Sequence, residues 1–409
     1  MKVAVIGLGY IGLPTALLIA ANGNKVVGVD IDSIKVEKLN KGSLPFKEKG
    51  LDELFQKAKD NFVATNSFDK IKNADAIIVC VPTPIRSKKM DDKYVVSAMT
   101  EVGKRLKKGQ LVVLESTVTP GTTERKVKNI LERESRLICC EDFYLAYCPE
   151  RAIPGNTIYE MIHNDRPIGG VDRESALRAS RLYSTFVKGN LILTRATIAE
   201  MAKVAENSYR DVNIALANEL AKIAEKVGVN VFDVINVANK HPRVNIHTPG
   251  IGVGGHCLPL DPWFLVEVYP KAEIIPLARK INKSMVDRVI NKLEKEGSKN
   301  VLIFGEAYKP DVDDTRESPS LDLYNKLTKK GFNARIYDPV VRESDDLNEK
   351  LESVDTIIIA TAHSIFKTLD WEDIVNKLKP PKLVVDGRYF FREPPHGAKF
   401  YGIGRGDVN

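Results

Sequence analysis

The sequence predicts an α/β protein with two parallel-sheet domains joined by a central long-helix region. Three observations predict it. Short β-branched runs alternate with apolar helical runs at both ends of the chain, a helical period of about 30 residues fills the middle, and Ala74-Asp75-Ala76-Ile77-Ile78-Val79 is echoed by Val354-Asp355-Thr356-Ile357-Ile358-Ile359. At 409 residues, and ~100–200 residues per domain, two to three domains are expected. We place them at 1–195, 196–295 and 296–409.

The first element is a strand, Lys2 to Ile6, followed by Gly7-Leu8-Gly9-Tyr10-Ile11-Gly12 and an apolar helix from Leu13 to Ala21. This is the G-x-G-x-x-G order of a Rossmann-like dinucleotide site. Gly7 permits the turn, Gly9 lets a pyrophosphate approach the backbone, and Gly12 lets helix pack on strand. The N–H groups and dipole of the helix start then favour the anion. Lys25 to Val29 is a second strand ending in Asp30, about where an acid meets the ribose hydroxyls. A carboxylate there repels a 2′-phosphate, which selects NAD over NADP. Asp32 is the rival acid, and Asp30 is preferred because it ends the strand.

Lys2 with the apolar residues up to Ala21 imitates an export signal, but three glycines and Pro14 interrupt the run and no cleavage-site tail follows. No stretch reaches the ~18 uninterrupted apolar residues of a membrane span. Two further strands, Ala76 to Val81 and Leu111 to Leu114, lead into Pro82-Thr83-Pro84 and Glu115-Ser116-Thr117. Ligands of open parallel sheets lie beyond the carboxyl ends of strands, so Thr83 and Thr117 fall at cofactor level; turn or cap chemistry explains them equally well.

Thr197-Ile198-Ala199-Glu200 reads as a capping box opening a helix of about 30 residues, on the order of 45 Å long, which ends at Gly228. That length can bridge domains or carry a dimer. Lys203 and Asn207 sit four apart on one face, where they either reach a single site or form a solvated edge. The third region restarts the opening theme with strands Asn300 to Phe304, Ala334 to Tyr337 and Thr356 to Ala360. Gly305-Glu306-Ala307-Tyr308-Lys309-Pro310 lacks the later glycines, so this copy should not hold a second dinucleotide in the same way. Lys309, Arg316 and Arg388 point instead to a phosphate-bearing substrate or to a shared cleft.

Composition excludes several classes. The hydrophobic and charged fractions of 43% and 28% are those of a folded globular chain, and a net charge of +7 without a long basic run gives nucleic-acid binding little support. Five cysteines, Cys80, Cys139, Cys140, Cys148 and Cys257, show no metal-ligand or disulfide-framework spacing. They fit a reducing cytoplasm, and no metal is expected. One of them has distinctive company: Gly254-Gly255-His256-Cys257-Leu258-Pro259-Leu260-Asp261 sets a thiol in flexible backbone with a carboxylate four residues on. A dinucleotide and a positioned thiol together allow oxidation past the aldehyde.

Taken in order, these motifs resemble those of the UDP-glucose and GDP-mannose dehydrogenase family almost end to end. The matching pieces are Gly7 to Gly12, Val81-Pro82-Thr83-Pro84, Glu115-Ser116-Thr117, Pro149-Glu150-Arg151, Lys203 with Asn207, Gly254 to Cys257 with Asp261, and Tyr308-Lys309-Pro310-Asp311 through Asp314 to Ser318. Glu150-Arg151-Ala152-Ile153-Pro154-Gly155, Leu260 before Asp261, and His241-Pro242-Arg243-Val244-Asn245 resemble the branch acting on UDP-N-acetyl-mannosamine. Glu306 stands where a small apolar residue is more familiar.

The resemblance implies a four-electron oxidation of a sugar C6 hydroxyl to a carboxylate with NAD, through a thiohemiacetal and thioester on Cys257. It implies that Lys203 and Asn207 stabilise the oxyanion, that Asp261 supports proton transfer and water, and that Glu150 is a base helped by Thr117. A protonated Lys203 near Cys257 would also lower the thiol pKa. It places the cofactor at Gly7, Gly9, Tyr10, Ile11, Gly12, Asp30, Thr83, Thr117 and Arg316. It places the UDP-sugar at Glu150, Arg151, Lys203, Asn207, Arg243, Gly254, Lys309 and Arg388, in a cleft between the outer domains, with Arg243 reaching across a homodimer interface. His256 is read as shaping the turn. UDP-N-acetylglucosamine and UDP-glucose remain alternative substrates. Two rivals of other classes are a two-electron hydroxy-acid dehydrogenase that needs no cysteine, and a non-catalytic nucleotide-sugar sensor.

Overall fold

The computed structural model describes residues 1–408 and divides into two compact units, Met1–Ala205 with Trp263–Pro270, and Glu206–Pro262 with the chain from Lys271 onward. In the first unit the strands are β1 (Lys2–Ile6), β2 (Lys25–Val29), β3 (Phe62–Thr65), β4 (Ala76–Val79), β5 (Ile85–Arg86), β6 (Lys89–Met90), β7 (Leu111–Leu114), β8 (Tyr144–Tyr147), β9 (Arg166–Gly170) and β10 (Leu191–Arg195). β5 and β6 form a small antiparallel hairpin; the rest make one sheet in the order β10-β9-β8-β7-β4-β1-β2-β3. Every neighbouring pair in it is parallel except β8 with β9.

Alternation along the strands fills both faces of this sheet. Val3, Val5, Ile78 and Val113 pack with Leu13 and Leu17 on one side, while Ala4, Ile6, Ile77, Val79, Val112 and Leu114 pack on the other. Each such fully buried aliphatic side chain contributes roughly 1.5–3 kcal/mol. The apolar start that imitates an export signal is therefore core strand and core helix, Gly12–Ala21.

The second unit contains β11 (Asn300–Phe304), β12 (Asn333–Tyr337), β13 (Thr356–Ile359), β14 (Leu383–Asp386) and β15 (Lys399–Gly402), all parallel in the order β12-β11-β13-β14-β15. Behind this sheet, Ala217, Ala221 and Ala224 pack with Met285, Val289 and Leu293 of the helix Ile274–Glu296. The echo between Ala74–Val79 and Val354–Ile359 has one physical job in each unit. The Asp75 carboxylate accepts the Lys2 N–H at 2.7 Å, and Asp355 accepts those of Lys299 and Asn300 at 2.9 and 2.8 Å. Each acid pins the start of the strand beside its own.

The long helix spans Ala196–Val227, 32 residues, and stops at Gly228, whose φ of 84° suits a left-handed helix end. The capping-box expectation is corrected here: Thr197 lies inside the helix, and Glu200 does not fold back on it. The Glu200 carboxylate instead accepts N–H bonds from Gly121 and Thr123 at 2.5 and 2.8 Å, while Glu124 accepts the Thr197 N–H at 3.2 Å. Two helix starts exchange caps, so the local pattern is satisfied by tertiary partners. Among the described residues no helix is long and apolar enough to cross a membrane.

Candidate functional site

In the first unit the glycine-rich turn is shaped as a dinucleotide cradle. Gly7 has φ 90°, and a Cβ on it would lie 2.1 Å from the Cys80 carbonyl oxygen; one on Gly12 would lie 1.9 Å from the Gly7 carbonyl oxygen. Gly9 differs, since a Cβ there would meet nothing within 4 Å. Two glycines thus close the turn and the third leaves backbone open to a ligand, with Tyr10 exposed and Ile11 packed beside the helix start. Asp30 follows β2, where its carboxylate accepts the Leu8 N–H at 2.8 Å, the Asp32 N–H at 2.9 Å and the Lys35 ammonium at 2.9 Å. Burial pushes this carboxyl up, but the Asp32 N–H, Lys35 and the Leu8 N–H outweigh it and hold it below the usual range. Asp32 has another task, capping the helix Ser33–Asn40 through the Lys35 N–H.

These residues fit NAD: a glycine turn leading into a helix start for the pyrophosphate, and an ionised acid at the strand end for the ribose. We expect Asp30→Ser to weaken NAD by about tenfold or more and to raise the NADP to NAD preference, because one buried charged partner is worth roughly 1.5–3 kcal/mol. Steady-state kinetics with both cofactors check this, and an unchanged preference would remove Asp30 from the ribose site.

Thr83 and Thr117 follow β4 and β7, both half-buried, in loops zipped together by Ser116, whose Oγ accepts the Val81 N–H at 2.9 Å and donates to the Val81 carbonyl at 2.7 Å. Glu150 follows β8. Its carboxylate accepts the N–H groups of Arg151 and Ala152 at 2.6 and 2.7 Å and pairs with Arg166. Arg151 donates to the Asp165 carbonyl at 2.9 Å. Lys203 is 9% exposed on the long helix. Glu267, just past Asp261 in sequence, belongs to this unit and accepts from the Met90 N–H and the Thr119 hydroxyl, both at 3.0 Å.

In the second unit, Asn207 and Asp261 come together: the Asn207 amide donates to the Asp261 carboxylate at 2.6 Å, both side chains buried. The Cys257 carbonyl accepts the Leu260 and Asp261 N–H groups at 3.0 and 2.8 Å, so thiol and acid share one tight turn. Of the five cysteines, all described, Cys257 alone is exposed. Gly255 packs on the Tyr308 ring, and a Cβ on Gly254 would meet Pro319, the Glu317 carbonyl and the Tyr308 Cβ. Burial, then Asp314 and Cys257, push the Tyr308 hydroxyl up, while burial and Arg316 hold His256 below its usual value and so neutral.

The Arg316 guanidinium forks onto Asp314 at 2.6–3.2 Å. Arg388 is half-buried, donates from Nε to the Ala360 carbonyl at 2.8 Å, and is pulled down to about 10 by desolvation against the opposing pull of Asp386. Lys309 lies in the loop after β11, and Arg243 is exposed. At the end of β12 the acid corresponding to Asp30 is spent internally: Asp338 accepts the Glu306, Ala307, Val340 and Val341 N–H groups and faces His363 Nε2 at 3.0 Å. A Cβ on Gly305 would lie 2.5 Å from the Thr361 Cβ, so this turn is closed against Thr361.

Sequence reasoning missed the polar scaffold beneath the cysteine loop. Asn218 accepts the Gly250 N–H at 2.9 Å and donates to Asn282 at 2.9 Å, and Asp211 pairs with Arg279 at 2.5 Å. Asn207, Asp211 and Asn218 recur on one face of the long helix at four- and seven-residue spacing, and that recurrence was the available signal. It also missed Arg166, a lone charge on an apolar strand, and the buried pairing of Glu115, which it read only as part of Glu115-Ser116-Thr117.

Comparison with known proteins matches three family models along the chain. Residues 1–187 match the NAD binding domain of the UDP-glucose/GDP-mannose dehydrogenase family, 197–284 its central domain and 302–393 its UDP binding domain. The chain is 44% identical over 420 residues, covering 100% of both chains, to the UDP-N-acetyl-D-mannosamine dehydrogenase of Pyrococcus horikoshii. A solved structure of UDP-D-ManNAc dehydrogenase from Pyrococcus horikoshii superposes with a TM-score of 0.95 at 43% identity over 100% of both chains. One of the UDP-N-acetyl-mannosamine dehydrogenase from Staphylococcus aureus gives 0.90 at 38% identity, over 100% of this chain and 99% of that one.

Proposed function

Because the chain belongs to the UDP-glucose/GDP-mannose dehydrogenase family, as an NAD-dependent UDP-sugar dehydrogenase, we propose that it oxidises the C6 hydroxyl of UDP-N-acetyl-D-mannosamine to the carboxylate through a thioester on Cys257. One observation carries this reading: the single exposed cysteine sits in a turn with Asp261, whose carboxylate is held by Asn207. NAD would supply the hydride acceptor, a fresh molecule for each of the two oxidations.

The residues divide the remaining work. Glu150, helped by Thr117, takes the C6 hydroxyl proton as the aldehyde forms. The Cys257 thiolate adds to the aldehyde carbon, making a carbon–sulfur bond and an alkoxide that the Lys203 ammonium and Asn207 amide stabilise until it is protonated. After the second oxidation, water guided by Asp261 adds to the thioester carbonyl and expels the thiolate, leaving the acid. Arg151, Gly254, Lys309 and Arg388 are assigned to the UDP-sugar, and Tyr10, Ile11, Thr83 and Arg316 to the cofactor. The working division of the chain is 1–195 for NAD, 196–295 for the catalytic loop and self-association, and 296–409 for UDP-sugar.

We assign the exposed apolar side chains Leu216, Ile223 and Val227 of the long helix, with Val234 and Val237 of Val231–Ala238, to contact with a second copy. The exposed Arg243 would serve that copy's substrate. Cysteines without disulfide partners suit a cytoplasmic location.

The test is the NADH formed per molecule of limiting UDP-sugar, with UDP-N-acetylmannosamine, UDP-N-acetylglucosamine and UDP-glucose in parallel. Two NADH from the mannosamine compound alone are expected. Two from another sugar would keep the route and overturn the substrate; one would make Cys257 a bystander; none from any would favour a sensor.

A further inference from the structure

Beneath the glycine-rich turn, one guanidinium serves two buried carboxylates. Arg166 lies on β9, an apolar strand at the side of the sheet, with its side chain 4% exposed. Its Nη2 pairs with Glu150 Oε2 and its Nη1 lies 3.6 Å from Glu115 Oε1, the Glu150 and Glu115 side chains being 7% and 0% exposed. The Tyr183 and Phe186 rings flank the guanidinium at 5.1 and 5.8 Å, so the cation is held by aromatic faces as well.

The two acids are not equivalent. Glu150 has two backbone N–H groups on Oε1 and the short contact to Arg166 on Oε2, so three donors, one of them a cation, converge on it. Glu115 accepts from the Tyr183 hydroxyl at 2.7 Å and the Thr15 hydroxyl at 3.2 Å, both neutral donors, with the guanidinium beyond hydrogen-bond reach. One buried cation cannot offset two buried anions, because an uncompensated charge in such surroundings is strongly penalised. A proton must therefore be retained, and the donor sets decide which acid retains it.

We infer that Arg166 is a positioning residue for the proposed oxidation: shared between Glu150 and Glu115, it fixes Glu150 as the charged, aimed carboxylate and leaves Glu115 as the acid that keeps the proton. The inference rests on the reading of Glu150 as a base. It gives Glu115 a second connection, since Thr15 belongs to the helix that begins at Gly12 of the cofactor turn. The groups around Glu115 come from every neighbouring element: Arg166 on β9, Glu150 and Cys148 after β8, Tyr183 on its helix, Thr15, and Cys80 after β4. Burial raises the thiols of Cys80 and Cys148 and the Tyr183 hydroxyl above their usual values, so all three stay neutral donors.

Burial pushes the Glu115 carboxyl up from 4.5 to about 7; Arg166 and Tyr183 pull it back, and Glu150 pushes it further. The folded chain thus holds a proton that the unfolded chain releases. The stability this group lends is complete below the unfolded value of 4.5 and is lost as pH rises through about 7. Glu115→Gln mimics the protonated acid at every pH. Its melting temperature should fall less than the parent's between pH 5 and 8.

The kinetic test is a double-mutant comparison of Glu150→Gln, Arg166→Lys and the pair together, with saturating UDP-sugar and varied NAD. We expect Glu150→Gln to lower kcat by ~100-fold, as loss of a general base does, and Arg166→Lys by ~10-fold, with KM for NAD within about threefold of the parent in each. The double variant should be no slower than Glu150→Gln alone, because Arg166 acts through Glu150. Multiplying losses would overturn the positioning role while leaving Glu150 in the mechanism. Unchanged turnover in Glu150→Gln would overturn the base reading and the inference with it. Should the Arg166 variant fail to fold, Glu115→Gln decides: a pH dependence of melting identical to the parent's would overturn the proton assignment.

Discussion

Cys257→Ala is expected to bind NAD within about threefold of the parent and to turn over UDP-sugar at least ~10³-fold more slowly, because on the proposed route no other group can hold the aldehyde as a covalent adduct for the second oxidation. The four remaining cysteines are buried or half-buried, and Cys80, Cys139, Cys140 and Cys148 have thiols raised by burial, so none can substitute. Rapid-quench analysis separates the steps. The parent should accumulate a base-labile protein adduct under acid quench, and the variant should not. A variant with normal turnover would return the protein to simple alcohol dehydrogenation.

The glycine-rich turn yields the second large effect, as a contrast between two substitutions. Gly12→Ala drives a methyl group to 1.9 Å from the Gly7 carbonyl oxygen, backbone that cannot yield locally, and so should destabilise the first unit by about 3 kcal/mol or more. Melting should drop by on the order of 10 °C and NAD binding should disappear with it. Gly9→Ala places its methyl group in open space and should leave the melting temperature nearly unchanged. It should still weaken NAD by ~10-fold or more, because the methyl occupies the path by which the pyrophosphate reaches the backbone. Thermal unfolding and a fluorescence titration with NAD read both quantities. Equal NAD affinity in Gly9→Ala and the parent would move the pyrophosphate elsewhere.

The elements were readable because each announces itself locally. β1, β2, β4 and β7 are short runs rich in Val and Ile, and the long helix keeps its period for 32 residues before a glycine that tolerates a left-handed φ. Asp30 was preferred to Asp32 from its place at a strand end, and Asp32 proves to be a helix cap. Cys257 stood out because glycines, not an apolar strand, surround it. Such signals depend on residues a few positions apart, and local backbone chemistry is what a linear pattern records.

Features that depend on partners far along the chain were hidden for the same reason. Thr197 to Glu200 has the spelling of a capping box, yet Glu200 caps the helix start near Gly121, 79 residues away, because that start offers two unpaired N–H groups at bonding distance. Arg166 looks like one charge in an apolar strand, and Glu115 like the acid before a turn. Packing β7, β8 and β9 side by side brings both acids to one buried cation, where the low dielectric makes their charges interdependent. The order of residues thus carried the strands, the turn and the thiol, while the protonation of Glu115 and the aim of Glu150 arise from three-dimensional proximity, since charge coupling follows distance in space and burial, neither of which is written in a linear chain.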